Sequence, residues 1–181
     1  SKSTSAVTFI DRQTGKVLLQ EQDALPHEAE PVVQERIKYD DTSARMVETA
    51  NGKVTVKDIL RRDTIGTSTR YRVHFSLSDC KALYGLGCQM EDYMNLLGKT
   101  VWLTQHNLKV MVPMLLSPSG YGLLFDAGCA MKFSSEAAAT AGGKGSLSMQ
   151  LEAAKELDYY FIKGSSMNDI VAGYRHLTGT V

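Results

Sequence analysis

The residues able to do chemistry are few, and each lacks a partner at working distance in the sequence. Glu91-Asp92 is an acidic pair in a glycine-flanked loop. Glycoside hydrolysis needs two carboxylates on opposite sides of a scissile bond. Adjacent residues rarely supply that geometry, so the pair reads as solvated loop charge. Gly85-Leu86-Gly87 has the first two glycines of a dinucleotide fingerprint, but Met90 stands where the third belongs and no β-α-β rhythm surrounds it. The histidines His27, His74, His106 and His176 are scattered. None forms H-x-x-x-H or pairs with a cysteine at ligand spacing, so no metal and no cofactor is expected. His74 is expected on the polar side of a strand, and His176 beside the C-terminal dipole of a helix. Ser117 and Ser119 lack a G-x-S-x-G elbow. No residue is expected to be catalytic.

Cys80, Cys88 and Cys129 are an odd number with no C-x-x-C spacing, and three reduced thiols are expected. A Cys80–Cys88 bridge closing a small loop is the alternative in an oxidising compartment. Twenty Lys and Arg balance twenty Asp and Glu, without a basic block that would favour nucleic acid or an anionic membrane. No apolar run reaches the ~18 residues of a membrane span, and the polar start at Ser1 has no signal core, so the piece reads as soluble. The absence of an initiator Met suggests a processed precursor or an excised piece, and the compartment is left open. With 181 residues, 43% of them hydrophobic, the chain can bury a core without staples, and one domain is expected.

The elements that must position these residues are mostly strands. Arg70–Leu77 and Ser146–Ala153 alternate apolar and polar side chains, as half-buried strands do. Asn51-Gly52 between Arg45–Thr49 and Lys53–Lys57 predicts a type I′ hairpin, and Gln13-Thr14-Gly15 predicts another between Val7–Ile10 and Lys16–Leu19. Tyr121–Phe125 and Leu157–Ile162 are nearly continuous apolar runs and are expected in the middle of sheets. Leu25–Pro31 and Glu136–Gly145 read as loops. One helix is expected, opening at Ser166-Met167-Asn168-Asp169 and closing at Gly179, with Ile170, Val171, Tyr174 and Leu177 on its apolar side. Many short strands, glycine turns and one terminal helix indicate an antiparallel β-sandwich.

A series of segments in the second half carries more specific information. Ala82-Leu83-Tyr84-Gly85-Leu86-Gly87 is followed by Gly98–Asn107, Val112–Ser117, Ser119–Asp126, Leu157–Gly164 and Tyr174–Gly179. In this order they resemble the N-terminal β-sandwich domain of glycoside hydrolase family 31, the retaining α-glucosidase and α-xylosidase family. Val7–Leu19 extends the resemblance to the start of the chain. Cys88-Gln89 departs from it, since the family commonly has an acid or Gln directly after the glycines.

The resemblance implies a mainly β fold, a galactose-mutarotase-like supersandwich with one C-terminal helix, occupying residues 1–181 as a single domain without its first strands. It also implies that catalysis lies elsewhere. The family's nucleophile and acid/base are Asp residues on a (β/α)8 barrel that follows the L-T-G helix end, and such a barrel takes about 250 residues. Its Trp-x-Asp strand end is not found, since Trp102, the only Trp, is followed by Leu103-Thr104. By this resemblance the chain is inactive alone and acts as scaffold and pocket wall in an α-glucosidase, or next an α-xylosidase. Its partners would be that C-terminal barrel and, through the parent enzyme, an α-linked oligosaccharide or α-glycoside, with neither nucleic acid nor membrane. The loop expected at the substrate pocket is Thr104–Asn107, beside Gln89–Asn95. Gln105, His106 and Asn107 would bind sugar hydroxyls, and Trp102 would stack on a pyranose face. The alternatives are that Trp102 is core and that Asn107 fixes a turn. An independent carbohydrate-binding or interaction module is the other reading, and fold alone cannot choose.

Overall fold

The computed structural model describes residues 5–24, 27–78, 80–140 and 143–179. Two compact units divide the chain, Ser1–Glu30 with Thr69–Val181, and Pro31–Ser68. The first strands, β1 (Thr8–Ile10) and β2 (Val17–Glu21), form the expected hairpin, with Gly15 at φ +69°. β3 runs His27–Tyr39, so the expected loop is strand from His27 onward, while Leu25 and Pro26 lie outside the described residues. Tertiary pairing overrides the local signal. Among the described residues β3 pairs with β6 (Ile59–Leu77) alone, an edge position that tolerates Pro31, and its acids Glu28 and Glu30 meet Arg72 and Arg70 at 2.8 and 3.1 Å.

In the unit Pro31–Ser68, β4 (Arg45–Thr49) and β5 (Gly52–Val56) pair antiparallel, flanked by a single 3₁₀ turn at Asp41–Ser43. The hairpin is present, but its turn differs from the expected type I′. Thr49 faces Gly52, and Ala50 and Asn51 are the two connecting residues. Gly52 has φ +107° while Asn51 has no positive φ. Type I′ requires positive φ at both central residues, so glycine ends this turn instead of centring it.

The larger unit is the sandwich. One sheet has the order β1-β2-β6-β12-β11-β8, where β8 is Thr100–Leu103, β11 Met131–Glu136 and β12 Gly145–Ala154, with β3 also paired to β6. The other has the order β13-β10-β9-β7, where β7 is Tyr84–Gly85, β9 Met114–Ser117, β10 Tyr121–Phe125 and β13 Tyr159–Lys163. Alternation sends Val73, Phe75, Leu77, Leu147, Met149 and Leu151 to the interior, where they belong to one buried cluster with Leu115, Tyr121, Leu123 and Phe125. The intervening β10 residues face the other way. Gly122 lies under α1 (Met167–Thr178), where an added Cβ would meet Ile170 at 2.6 Å. Coverage on both faces explains the unbroken apolar run of β10.

β13 corrects a second expectation, because it is an edge strand preceded, not begun, by Leu157-Asp158. Its side chains are apolar because other elements cover them. Ile162 packs with Ile170, and the Phe161 ring lies 4.1 Å from Phe9 and 5.6 Å from Tyr121. The helix starts with a capping box between Ser166 and Asp169 and ends at Gly179, φ +93°. Hydrogen bonds from the Ser165 and Ser166 hydroxyls hold the Asp169 carboxyl below its usual range. Its expected apolar side is only partly right: Ile170 is fully buried, but Val171 and Leu177 are 41% and 50% exposed. Val171 lies about 100° round the helix from Ile170, and Leu177, nearly in line with Ile170, lies about two turns further along, so a short contact with the sheet covers neither. His176 lies in the last turn, as expected. The cysteines are free, and burial raises the Cys80 thiol pKa. No helix among the described residues is long and apolar enough to cross a membrane.

Candidate functional site

The site is made by two loops of the sandwich, one leaving β7 and one leaving β8. Tyr84-Gly85-Leu86-Gly87 turns through three consecutive positive φ angles, +101°, +62° and +91°. Glycine is required twice because backbone passes too close for a side chain. An added Cβ would stand 2.3 Å from the Met114 carbonyl oxygen at Gly85 and 2.0 Å from that of Val110 at Gly87. Leu86 bears the same conformation with a side chain, at a cost of ~1–3 kcal/mol, because its side chain is wholly buried in the core. The Leu86 N–H donates to the Met114 carbonyl at 2.9 Å, and Cys88 and Val110 exchange backbone hydrogen bonds at 2.8 and 3.1 Å. Further along, Asn95 Oδ1 accepts from the Leu83 and Leu97 N–H groups, each at 3.0 Å, and so closes the loop base.

The second loop is held by its own amide. Gln105 Nε2 donates to the Lys109 carbonyl at 2.6 Å and its Oε1 accepts from the Met111 N–H at 3.0 Å. The Lys109 N–H donates to the His106 carbonyl at 3.1 Å, and Leu108 turns the tip at φ +69° with 71% exposure. Lys109 Nζ reaches Glu91 Oε1 at 3.2 Å, so the two loops are joined by a backbone pair and an ion pair.

The four expected binding residues are not gathered into one site. Thr104 and Gln105 line a cleft of about 430 Å³ with Leu103, Met111, Pro113 and Met131. His106 and Asn107 are exposed at the tip, where His106 Nδ1 lies 3.0 Å from the Asn107 carbonyl. Trp102 is not core, which removes that alternative. On β8 the neighbours Val101 and Leu103 point inward, so Trp102 points outward, 48% exposed, with Lys132 Nζ 5.4 Å from its ring centre. It does not line the cleft that Gln105 lines.

Glu91 and Asp92 are exposed, as their reading as loop charge requires, and Ser117 is buried with its Oγ accepting from the Ser119 N–H at 3.2 Å. His74 is less solvated than expected, lying 3.4 Å from Glu28. Among the described residues no three His, Cys, Asp or Glu side chains converge. The sequence reading placed the loop Gln89–Asn95 beside the pocket but gave Asn95 and Gln89 no role of their own. An Asn placed between Leu83 and Leu97 gives no periodic signal, since its partners are backbone groups on either side of a loop.

A two-sheet antiparallel sandwich with a docked C-terminal helix and a glycine turn locked to a neighbouring loop defines the chain as a β-sandwich domain. No family model matches it. An α-xylosidase from Saccharolobus solfataricus is 32% identical over 154 residues, which is 74% of this chain and 20% of that protein. An uncharacterised family 31 glucosidase from Pseudescherichia vulneris is 27% identical over 115 residues, 64% of this chain and 20% of that protein. The chain therefore spans about a fifth of the length of the curated relatives it matches. In fold it is similar to the family 31 α-xylosidase of Xanthomonas citri, with TM-score 0.62 at 14% identity over 94% of this chain and 31% of that one. It is likewise similar to a family 31 dextranase from Flavobacterium johnsoniae, with TM-score 0.56 at 15% identity over 94% and 17% of the two chains. In sequence and fold the chain thus resembles the β-sandwich part of glycoside hydrolase family 31 enzymes.

Proposed function

We propose that the chain serves a retaining α-glycosidase as scaffold and substrate-pocket wall, with hydrolysis performed by a (β/α)8 barrel of the same polypeptide. The observation that carries this reading is the tie between the two loops. The Cys88–Val110 backbone pair and the Lys109–Glu91 ion pair brace the Thr104–Asn107 loop, and Gln105 fixes its turn. His106 and Asn107 then project from a braced support with their side chains exposed. A preorganised pair of polar groups suits sugar hydroxyls, which need donors and acceptors at set positions. Trp102 offers a ring face from outside the cleft. The α-xylosidase relative supports α-xylosides as the first substrates to test. The family 31 glucosidase relative supports α-glucosides as the second.

The test uses the longer protein. His106→Ala and Asn107→Ala should each lower kcat/KM on aryl α-xylosides or α-glucosides. Loss of a buried hydrogen-bond partner costs ~1–3 kcal/mol, about ten- to hundredfold. A loss confined to longer substrates would put the loop on the leaving-group side of the pocket. Unchanged kinetics for both variants on every substrate would remove the pocket-wall role and leave the domain as scaffold.

A further inference from the structure

A second cleft, of about 310 Å³, opens beside the Tyr84–Gly87 turn and is lined by Tyr84, Gln89, Glu91, Tyr93, Met94 and Leu96. Its volume falls at the small end of ligand sites, and its mixture of rings with a few polar groups is typical of them. Gln89 Nε2 is buried there without an acceptor. A buried N–H that no group accepts is costly, and such atoms are rare in folded proteins. An acceptor entering the cleft would satisfy it. Glu91 contributes the only carboxylate of this lining, and its charge is balanced by Lys109 at 3.2 Å. An anionic ligand would meet that carboxylate, and a cationic one would compete with Lys109 for it. The favoured ligand is therefore neutral. Tyr84 and Tyr93 are half-buried, with Lys99 Nζ 4.8 Å from the centre of the Tyr93 ring, and Met94 is 83% exposed. Flat apolar rings beside an amide and a carboxylate match a ligand with an apolar C–H face and a rim of hydroxyls.

We infer that this cleft binds one neutral pyranose ring. The tyrosines pack against its C–H face, Gln89 donates to one hydroxyl and Glu91 accepts from another. The assignment rests on the residues of the cleft and goes beyond the role of the Thr104–Asn107 loop.

Calorimetric titration of the 181-residue chain with methyl α-xyloside, methyl α-glucoside and maltotriose tests it, because no barrel contributes to the signal. Saturable binding of at least one of these probes is expected. Gln89→Leu and Tyr93→Ala should each weaken it ~tenfold or more, since tenfold corresponds to the ~1.4 kcal/mol that one hydrogen bond or ring contact supplies. Gln89→Leu should also keep or raise the melting temperature, because it removes a buried donor that the free fold leaves unsatisfied. That variant carries the test if Tyr93→Ala fails to fold. Absence of saturable binding for all three probes overturns the inference, as does equal affinity in the wild type and Gln89→Leu. Either result leaves the kinetic test of His106 and Asn107 unaffected.

Discussion

Gln105 joins two backbone groups of its own loop, and this changes which polar side chains are available to a ligand. Both ends of its amide are engaged, at 2.6 Å to Lys109 and 3.0 Å to Met111. Gln105→Ala should therefore cost ~1–2 kcal/mol for two partly exposed hydrogen bonds. For a chain of this size that is roughly 2–8 °C in melting temperature. His106→Ala and Asn107→Ala should stay within about 0.5 kcal/mol of wild type, as exposed substitutions usually do. Equal melting temperatures for all three variants would show that the amide does not hold the loop. The residue type was legible in the sequence, since an amide beside a His and an Asn suits sugar binding. Its direction was not, because an amide serves backbone and ligand equally well. The same limit applied to Trp102, whose face depends on which strand pairs with β8.

At the scale of elements, the helix shows how much docking rests on one side chain and the space opposite it. Ile170 is fully buried, and an added Cβ at Gly122 or Gly164 would stand 2.6 or 2.7 Å from it. Gly122 on the sheet and Gly164 just past the end of β13 thus form the seat for one large residue of α1. Ile170→Ala should cost ~2–5 kcal/mol by loss of burial and the cavity left behind. Leu177→Ala and Val171→Ala, on half-exposed positions, should change stability by no more than about 0.5 kcal/mol. Chemical denaturation midpoints separate the two cases, and a cost for Leu177→Ala equal to that of Ile170→Ala would contradict this packing. Capping residues and 3.6-residue spacing predicted the helix and both of its ends. They did not predict the extent of its buried stripe, which depends on how much of the helix the sheet lies beneath.

At the scale of the whole sandwich, a buried acid links its two sheets. Glu21 on β2 is 4% exposed and accepts from the Tyr159 hydroxyl of β13 at 2.6 Å and from the Val7 N–H at 2.8 Å. Burial raises the Tyr159 phenol above its ordinary range, and the Glu21 carboxylate adds to the shift. Burial also pushes Tyr121 up to about 12. Both folded-state values lie above the unfolded value of about 10, so folding favours the neutral phenols. Their contribution is complete below about pH 10 and declines as pH rises from there through about 12. Tyr159→Phe should lose ~1.5–3 kcal/mol near pH 8, the range for a hydrogen bond to a charged group. The gap from wild type should narrow by pH 11, where the wild type begins to lose this contribution. Urea midpoints at the two pH values check this, and a gap that widens with pH would reverse the sign.

Periodicity within a few residues by itself determined the strands over Arg70–Leu77 and Ser146–Ala153, the helix from its Ser166 cap to Gly179, and hence the sandwich class. Those signals are local, since alternation and capping involve neighbours that remain close in any conformation. The ordered segments from Ala82 to Gly179 likewise carried the family resemblance. Only the tertiary structure decided that β3 runs through Pro31, that β13 is an edge, that Trp102 faces outward, and that Gln89 lines a cleft with an unsatisfied donor. Each of these depends on pairs distant in sequence, such as Glu21 with Tyr159, 138 residues apart. Composition and spacing cannot choose such pairs, because many combinations satisfy the same local pattern and the burial of one shared core selects among them.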